Sequence, residues 1–454
     1  MKVIKIGGGC LKGESVVANI LGLIAERGRG HIFVLSALYG ITDKLMDGVW
    51  TSLKDEEQIP SIINEIRQEH LFLARVLMES EMDFNALKQE IDNHFITLER
   101  YYYGINFTRE ATPRMQDIIT SYGERLSVIL MARALESRGE NAHFIMPQDA
   151  GIVTDGRFGD ATANMQATSE NLGKTVKPLM THDKILFIPG FFGISAAGEV
   201  TTFGRGGSDY SAAVVAAALK VDILEIWKDT EGFMSADPAV VPRANLISVL
   251  SYEEASELAY AGASILHPRT VEPVRKSDIN IAIKNTLDPD GPGSLITEKA
   301  VPVPGVIKSI SHARDIAVLK VYASGVGLRQ GILARIAGRI SDAGINIKSV
   351  VTSQTCISFL FAGKDVDKAH NLIESMHPRL HRESEVLKDS ALISVVGDGL
   401  HNHRGIAARC FTAVAQADVN IEMISFGPSR AALYFLVRED DLERTIISLH
   451  DHFV

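Results

Sequence analysis

Val3-Ile4-Lys5-Ile6-Gly7-Gly8-Gly9 decides the class of fold: a short run apolar on both faces, three glycines at its end, and a helical pattern beyond them. Similar runs at Ile32-Phe33-Val34-Leu35, Ile185-Leu186-Phe187-Ile188 and Ile223-Leu224-Glu225-Ile226-Trp227 lead through Gly, Ser or Asp into helix-like segments. Strands without a polar face need cover on both sides, which a parallel sheet between two helical layers provides. The expectation for residues 1–297 is therefore α/β, a three-layer αβα sandwich with a mainly parallel central sheet. Ligands on such sheets sit at the C-terminal ends of the strands.

From about 42 to 139 the strand signal stops. Ile62 to Leu77 and Phe84 to Tyr103 read as amphipathic helices, so a helical insertion is expected. Thr112-Pro113 reads as an N-cap with Pro in the first turn, opening a helix that carries Glu124 back toward the sheet. Pro302-Val303-Pro304-Gly305 then punctuates the chain, and an internal repeat follows. Gly331-Ile332-Leu333-Ala334-Arg335 returns as Gly405-Ile406-Ala407-Ala408-Arg409, and Ile345-Asn346-Ile347 as Val419-Asn420-Ile421, both displaced by the same 74 positions (331 to 405, 346 to 420). Each copy reads strand, glycine loop, helix, turn, strand, strand, which is half of a ferredoxin-like βαββαβ unit.

With 454 residues, 46% hydrophobic and 22% charged, the chain should fill two or three globular domains. A net charge of −10 and the lack of a long Lys/Arg cluster argue against a nucleic-acid partner. Cys10, Cys356 and Cys410 are too scattered for a disulfide framework or a Cys-x-x-Cys site, which fits a reducing cytoplasm. Met1-Lys2 runs straight into the first strand and no apolar run is long enough to cross a bilayer, so neither a signal peptide nor a membrane partner is expected. His401 with His403, and His450 with His452, lack a third ligand nearby and read as solvated histidines, so no protein metal site is expected.

Four stretches carry chemistry. Lys5 and Gly7-Gly8-Gly9 suit a phosphate: glycine amides approach its oxygens, a helix N-terminus adds partial positive charge, and the lysine supplies a point charge. A tight turn explains the same glycines, and the ending of a Walker A loop is missing. Thr202-Phe203-Gly204-Arg205-Gly206-Gly207-Ser208-Asp209-Tyr210-Ser211-Ala212 places Arg, Gly, Ser and Asp at the start of a very apolar helix, where Arg205 can grip a carboxylate. Ser208 or Asp209 could serve only as a cap, but capping does not call for the preceding Gly-Arg-Gly-Gly. Trp227-Lys228-Asp229 ends a strand and enters the loop Thr230 to Pro238, where carboxylates suit a nucleotide and turn chemistry also favours Asp, Gly and Pro. Ala263-Ser264-Ile265-Leu266-His267-Pro268-Arg269-Thr270 is a short connection into another helix.

In this order the stretches resemble the aspartate kinases of the amino-acid kinase family. The carriers are Lys5-Ile6-Gly7-Gly8-Gly9-Cys10, Leu35-Ser36-Ala37 with Thr42, Gly123-Glu124, Gly204 to Ser211, Ala236-Asp237-Pro238, Leu266-His267-Pro268 and Asn285-Thr286. The repeat resembles the paired ACT modules that close the monofunctional members, with ACT 1 at 314–385 inserted into ACT 2 at 302–313 plus 386–454. The resemblance implies a 1–297 catalytic domain that uses ATP and Mg²⁺ to phosphorylate L-aspartate to 4-phospho-L-aspartate, the entry to lysine, threonine and methionine synthesis. It assigns Lys5 and Asp209 to catalysis and Ser36, Thr42, Glu124, Arg205, Gly206, Gly207 and Ser208 to aspartate. Lys5, Gly7, Gly8, Gly9, Lys228, Asp229, Met234 and Ser264 fall to the nucleotide. Gly331, Ile332, Leu333, Asn346, Ile347, Asn420 and Ile421 fall to an amino-acid effector, lysine or threonine or both, while a left-handed turn explains the two asparagines equally well. Gly325-x-Gly327 and Gly397-x-Gly399 read as ACT loops. A homo-oligomer, a dimer through the ACT modules, is implied, and because Val454 ends the second repeat no fused homoserine dehydrogenase is expected.

The departures are specific. Met234 and Ala239 stand where many members have Tyr and Arg, Ser264 where they have Lys, and Gly9-Cys10 replaces Thr-Ser. They motivate one alternative, an amino-acid-sensing homologue with impaired turnover. Another amino-acid kinase, acting on glutamate or N-acetylglutamate, is disfavoured by the paired repeat and the Arg-Gly-Gly-Ser-Asp context.

Overall fold

The computed structural model describes residues 1–262, 265–299, 306–323, 326, 330–377 and 380–454. Ser264, Gly325, Gly327 and the Pro302 to Gly305 punctuation lie outside the described residues. The chain divides into two compact units, the first formed by Met1–Phe233, Ser248–Tyr252 and Ile265–Lys299, the second by Met234–Ile247, Glu253–Ser264 and Ala300–Val454.

In the first unit the strands are β1 (Val3–Ile6), β2 (His31–Leu35), β3 (Ala142–Phe144), β4 (Val153–Thr154), β5 (Ile185–Pro189), β6 (Phe192–Ser195), β7 (Val200–Thr202), β8 (Ile223–Lys228), β9 (Val249–Ser251), β10 (Asn280–Asn285) and β11 (Ser294–Thr297). Eight of them form one sheet in the order β3-β5-β2-β1-β8-β10-β11-β9. Only the β10–β11 pair is antiparallel. The expected mainly parallel α/β sheet is therefore present, and its central strands are buried on both faces because side chains alternate between the two helical layers. Ile4, Ile6, Phe33, Leu35, Ile185 and Phe187 join one core. On the sheet, the apolar helix Gly207–Leu219 packs against β1, β2 and β8.

Between β2 and β3 the chain is helical, at Ile41–Ser52, Ile59–Leu77, Glu81–Thr108, Pro113–Thr120 and Tyr122–Glu136. Thr112 caps its helix as expected, accepting a hydrogen bond from the Met115 amide at 3.3 Å. That helix does not carry Glu124, however; it stops at Thr120 and a second one begins at Tyr122. Thr120 and Ser121 turn their hydroxyls onto the Gln116 and Ile118 carbonyls, at 2.8 and 2.7 Å, competition that interrupts a helix.

The second unit contains β12 (Ser309–Tyr322), β13 (Ser349–Thr352), β14 (Cys356–Ala362), β15 (Glu383–Val396), β16 (Met423–Phe426) and β17 (Ala432–Arg438), in the sheet order β13-β14-β12-β15-β17-β16. Helices Ile332–Asp342, Gly363–Glu374, Ile406–Gln416 and Leu442–Phe453 complete two ferredoxin-like ACT modules. Both central strands serve two modules: Ile316–Tyr322 of β12 pairs with β14, Ser309–Ala313 pairs with Leu392–Val396, and Ser390–Val396 of β15 pairs with β17. Asp315 and Asp389 mark the change of module, both with positive φ (57° and 58°) and related by the same 74-residue offset.

Two expectations on this unit are corrected. The left-handed residue of each turn is Gly344 or Asp418, not Asn346 or Asn420, because the reversal falls at the helix end, where a residue with positive φ stops the spiral. His450 is buried rather than solvated, with Nε2 2.9 Å from the Ser235 hydroxyl.

Candidate functional site

A cleft of about 640 Å³ in the first unit is lined by Lys5, Ser36, Thr42, Glu124, Arg205, Gly206, Gly207, Ser208 and Asp209, together with Asp117, Gly159, Phe191 and Thr202. Several lining groups sit at or next to a strand end or helix start. Lys5 is inside β1, Ser36 follows β2 with its amide bonded to the Ile6 carbonyl at 3.3 Å, and Thr42 lies in the first turn of Ile41–Ser52.

The helix Gly207–Leu219 begins at Gly206, whose φ is 71°. A Cβ on Gly206 would lie 2.3 Å from Cγ of His267, so glycine is needed for both the backbone conformation and the space. Asp209 in the first turn reaches Lys5 Nζ at 2.5 Å, and Lys228 Nζ stands 3.8 Å from its other oxygen. Burial pushes the Asp209 carboxyl up, but the charges of Lys5 and Lys228 outweigh it and hold the group below the ordinary carboxylate value. The Asp209 carboxylate is thus ionised at neutral pH and holds Lys5 Nζ in a fixed direction.

Glu124 has the opposite balance. It is 3% exposed, the Ser208 hydroxyl donates to Oε1 at 3.4 Å, and Oε2 is buried without a hydrogen-bond partner. Burial raises its carboxyl to about 8, against the opposing effect of backbone amides, Ser208 and Lys5. Arg205 is exposed and makes no ion pair among the described residues. One wall of the cleft therefore offers a buried carboxyl short of a donor, and another a guanidinium short of an acceptor.

Of the residues expected around a nucleotide, Gly7 and Lys228 lie beside the Lys5–Asp209 pair, and Gly9 faces Asp229. The Gly7 amide bonds to the Trp227 carbonyl at 3.2 Å, and Gly8–Cys10 forms a tight turn. A Cβ on Gly9 would lie 3.5 Å from Asp229 Oδ2, and one on Gly8 3.2 Å from the Ala37 carbonyl. Cys10 is buried, its thiol pushed up by that burial. Met234 falls in the second unit, where its carbonyl accepts from the Ser309 hydroxyl at 2.8 Å. Among the described residues no three His, Cys, Asp or Glu side chains converge on a metal position.

Sequence reading missed Asp117. Its carboxylate accepts from the Gly159 amide and the Thr202 amide, both at 2.9 Å, and from the Thr202 hydroxyl at 2.7 Å, fixing two loops of the cleft. Its partners lie 42 and 85 positions away, and no local motif marks such an acid.

The amino acid kinase family model matches residues 1–285, and an ACT domain model matches 393–453. The chain belongs to the amino acid kinase family. Over 378 residues it is 32% identical to the bifunctional aspartokinase/homoserine dehydrogenase of Haemophilus influenzae, covering 82% of this chain and 46% of that protein. Over 464 residues it is 29% identical to the chloroplastic aspartokinase 1 of Arabidopsis thaliana, covering 99% of this chain and 80% of that one. The chain thus spans less than half of the bifunctional relative and four-fifths of the plant one. The crystal structure of Escherichia coli aspartokinase III in complex with aspartate and ADP (R-state) is similar with a TM-score of 0.84 at 26% identity, covering 100% of this chain and 99% of that one. The same enzyme with lysine and aspartate (T-state) gives 0.83 with the same identity and coverage.

Proposed function

We propose that the chain transfers the γ-phosphate of ATP to the side-chain carboxylate of L-aspartate, giving 4-phospho-L-aspartate and ADP, under feedback from an end-product amino acid, lysine or threonine, bound to the ACT unit. The observation that carries this is one cleft containing a Lys5 ammonium fixed by Asp209, a Glu124 oxygen short of a donor and an unpaired Arg205. The similarity to aspartokinases, including one bound to aspartate and ADP, supports it.

In this reading Arg205 grips the α-carboxylate and Glu124 the α-ammonium, leaving the second carboxylate facing Lys5. That carboxylate is already ionised near pH 7, so no general base is needed. One of its oxygens forms the new P–O bond while the bond from the γ-phosphorus to the bridging oxygen breaks and ADP leaves with the electron pair. Lys5 and the Gly7-Gly8-Gly9 amides neutralise the charge on the transferring group, and Asp209 aligns Lys5. Mg²⁺, bound through the phosphates, supplies further neutralisation. Lys228 and Asp229 border the nucleotide, and Met234 and Ser264 belong to the same assignment.

The ACT contacts at Gly331, Ile332, Leu333, Asn346, Ile347, Asn420 and Ile421, a dimer through the ACT modules and a cytoplasmic location complete the proposal. Aspartate-dependent ADP release with Mg²⁺ and ATP tests it, with lysine and threonine added in turn. No turnover above the aspartate-free rate would overturn it.

A further inference from the structure

The ACT sheet is apolar on both faces. Its four helices cover one side, while Ile316, Val318, Leu360, Leu392 and Leu436 cluster on the other. Over part of that second face lies the segment Glu253–Tyr260. Tyr260 donates to the Lys348 carbonyl, Tyr434 donates to Glu257, and the two tyrosine rings meet edge to face with centroids 6.0 Å apart. A cavity of about 320 Å³ lies beside it.

The chemistry of that cavity is bipolar. Glu257 lines it and receives hydroxyl donors only, from Tyr434 and Ser429, with no cation paired to it among the described residues. Lys348 also lines it and has no carboxylate partner among the described residues. Leu360, Leu392 and Met423 supply apolar lining. Glu257 and Lys348 form no salt bridge with each other. A half-buried anion and a cation held apart over an apolar surface match the two charged ends and the side chain of a free amino acid, because a buried charge without its counter-ion is costly.

We propose that this cavity is a binding site for an uncharged aliphatic α-amino acid, with its ammonium on Glu257, its carboxylate on Lys348 and its side chain against Leu360, Leu392 and Met423. None of Gly331, Ile332, Leu333, Asn346, Ile347, Asn420 and Ile421 lines it, so it is distinct from the effector contacts proposed above. Burial raises the Glu257 carboxyl, and an arriving ammonium reverses that shift. The inference stands on the second unit alone and does not require the kinase reading.

Calorimetric titration of the full chain with L-leucine and L-methionine, without ATP or aspartate, tests it. The same titration uses 4-methylpentanoate, which lacks the ammonium, and isoamylamine, which lacks the carboxylate. At least one of the two amino acids is expected to bind, and each analogue to bind at least about tenfold more weakly. Glu257→Gln and Lys348→Met are each expected to weaken the amino acid by at least about tenfold, with folding checked by circular dichroism. No binding by the unaltered chain up to about 10 mM, analogues that bind as well as the amino acids, or binding unmoved in both variants overturns the proposal. A second copy of the chain filling the cavity would give the first of these results. Aspartate-dependent ADP release, measured separately, reports on the kinase reading alone.

Discussion

In the proposed reading, with Glu124 on the aspartate ammonium, binding should release a proton, and the size of the effect follows from the burial of Glu124. Its carboxyl titrates at about 8 in the free protein, and an ammonium on the unpartnered Oε2 requires the ionised form. At pH 7 a group titrating at about 8 is ionised in roughly one molecule in eleven, which costs binding about 1.4 kcal/mol. The apparent Kd for aspartate should fall about tenfold from pH 6 to pH 7 and about fivefold from pH 7 to pH 8, then level off. Calorimetry in phosphate and in Tris at pH 7, whose ionisation enthalpies differ, should report release of roughly 0.9 proton per aspartate bound. Glu124→Gln should raise Kd at pH 8 and abolish both effects. A Kd constant from pH 6 to pH 8 with no proton release would refute the assignment of Glu124 to the ammonium. Stability carries the same signature. The folded value lies above the ordinary 4.5, so this group's contribution is fully present below about 4.5 and is lost as pH rises through about 8. The melting temperature of Glu124→Gln should therefore decline less between pH 5 and pH 8 than that of the unaltered chain.

Four further outcomes are expected. Lys5→Ala should lower kcat with little change in the aspartate KM, whereas Arg205→Ala should raise that KM by roughly tenfold or more and spare kcat more, since the proposed reading puts one group on the transferring phosphate and the other on a ground-state carboxylate. Steady-state kinetics that show the reverse split would reject both roles. Gly206→Ala should destabilise by about 2 kcal/mol or more, and adding His267→Ala should recover the part due to the 2.3 Å clash but not the strain of a φ of 71°, which a denaturant double-mutant cycle separates. Asp117→Ala removes three hydrogen bonds and should cost about 2 to 4 kcal/mol while raising the aspartate KM; unchanged kinetics would remove it from the cleft's supporting residues. Lys308→Met removes the ammonium 2.8 Å from the buried Glu254, which keeps the Asp398 amide on its other oxygen, and chemical denaturation should register a loss of about 3 to 5 kcal/mol.

The amino-acid sequence determined the class of fold and most of the cleft's lining. Strands without a polar face can only be buried between layers. Arg205 stands in a glycine-rich run that a simple cap does not demand, whereas a tight turn explains the glycines after Lys5 equally well. The repeat offset likewise pointed to a duplicated ferredoxin-like unit, because a duplicated unit keeps its spacing. Three things were decided only by tertiary structure. Opposite balances of burial and charge at Asp209 and Glu124 depend on neighbours brought in from distant strands, and two acids look alike in sequence. Asp117 and His267 act through contacts across long sequence separations that leave no local pattern. The bipolar cavity beside Glu257 exists because a segment near residue 257 is laid across strands from residues 348 to 435, a juxtaposition that only the folded chain creates.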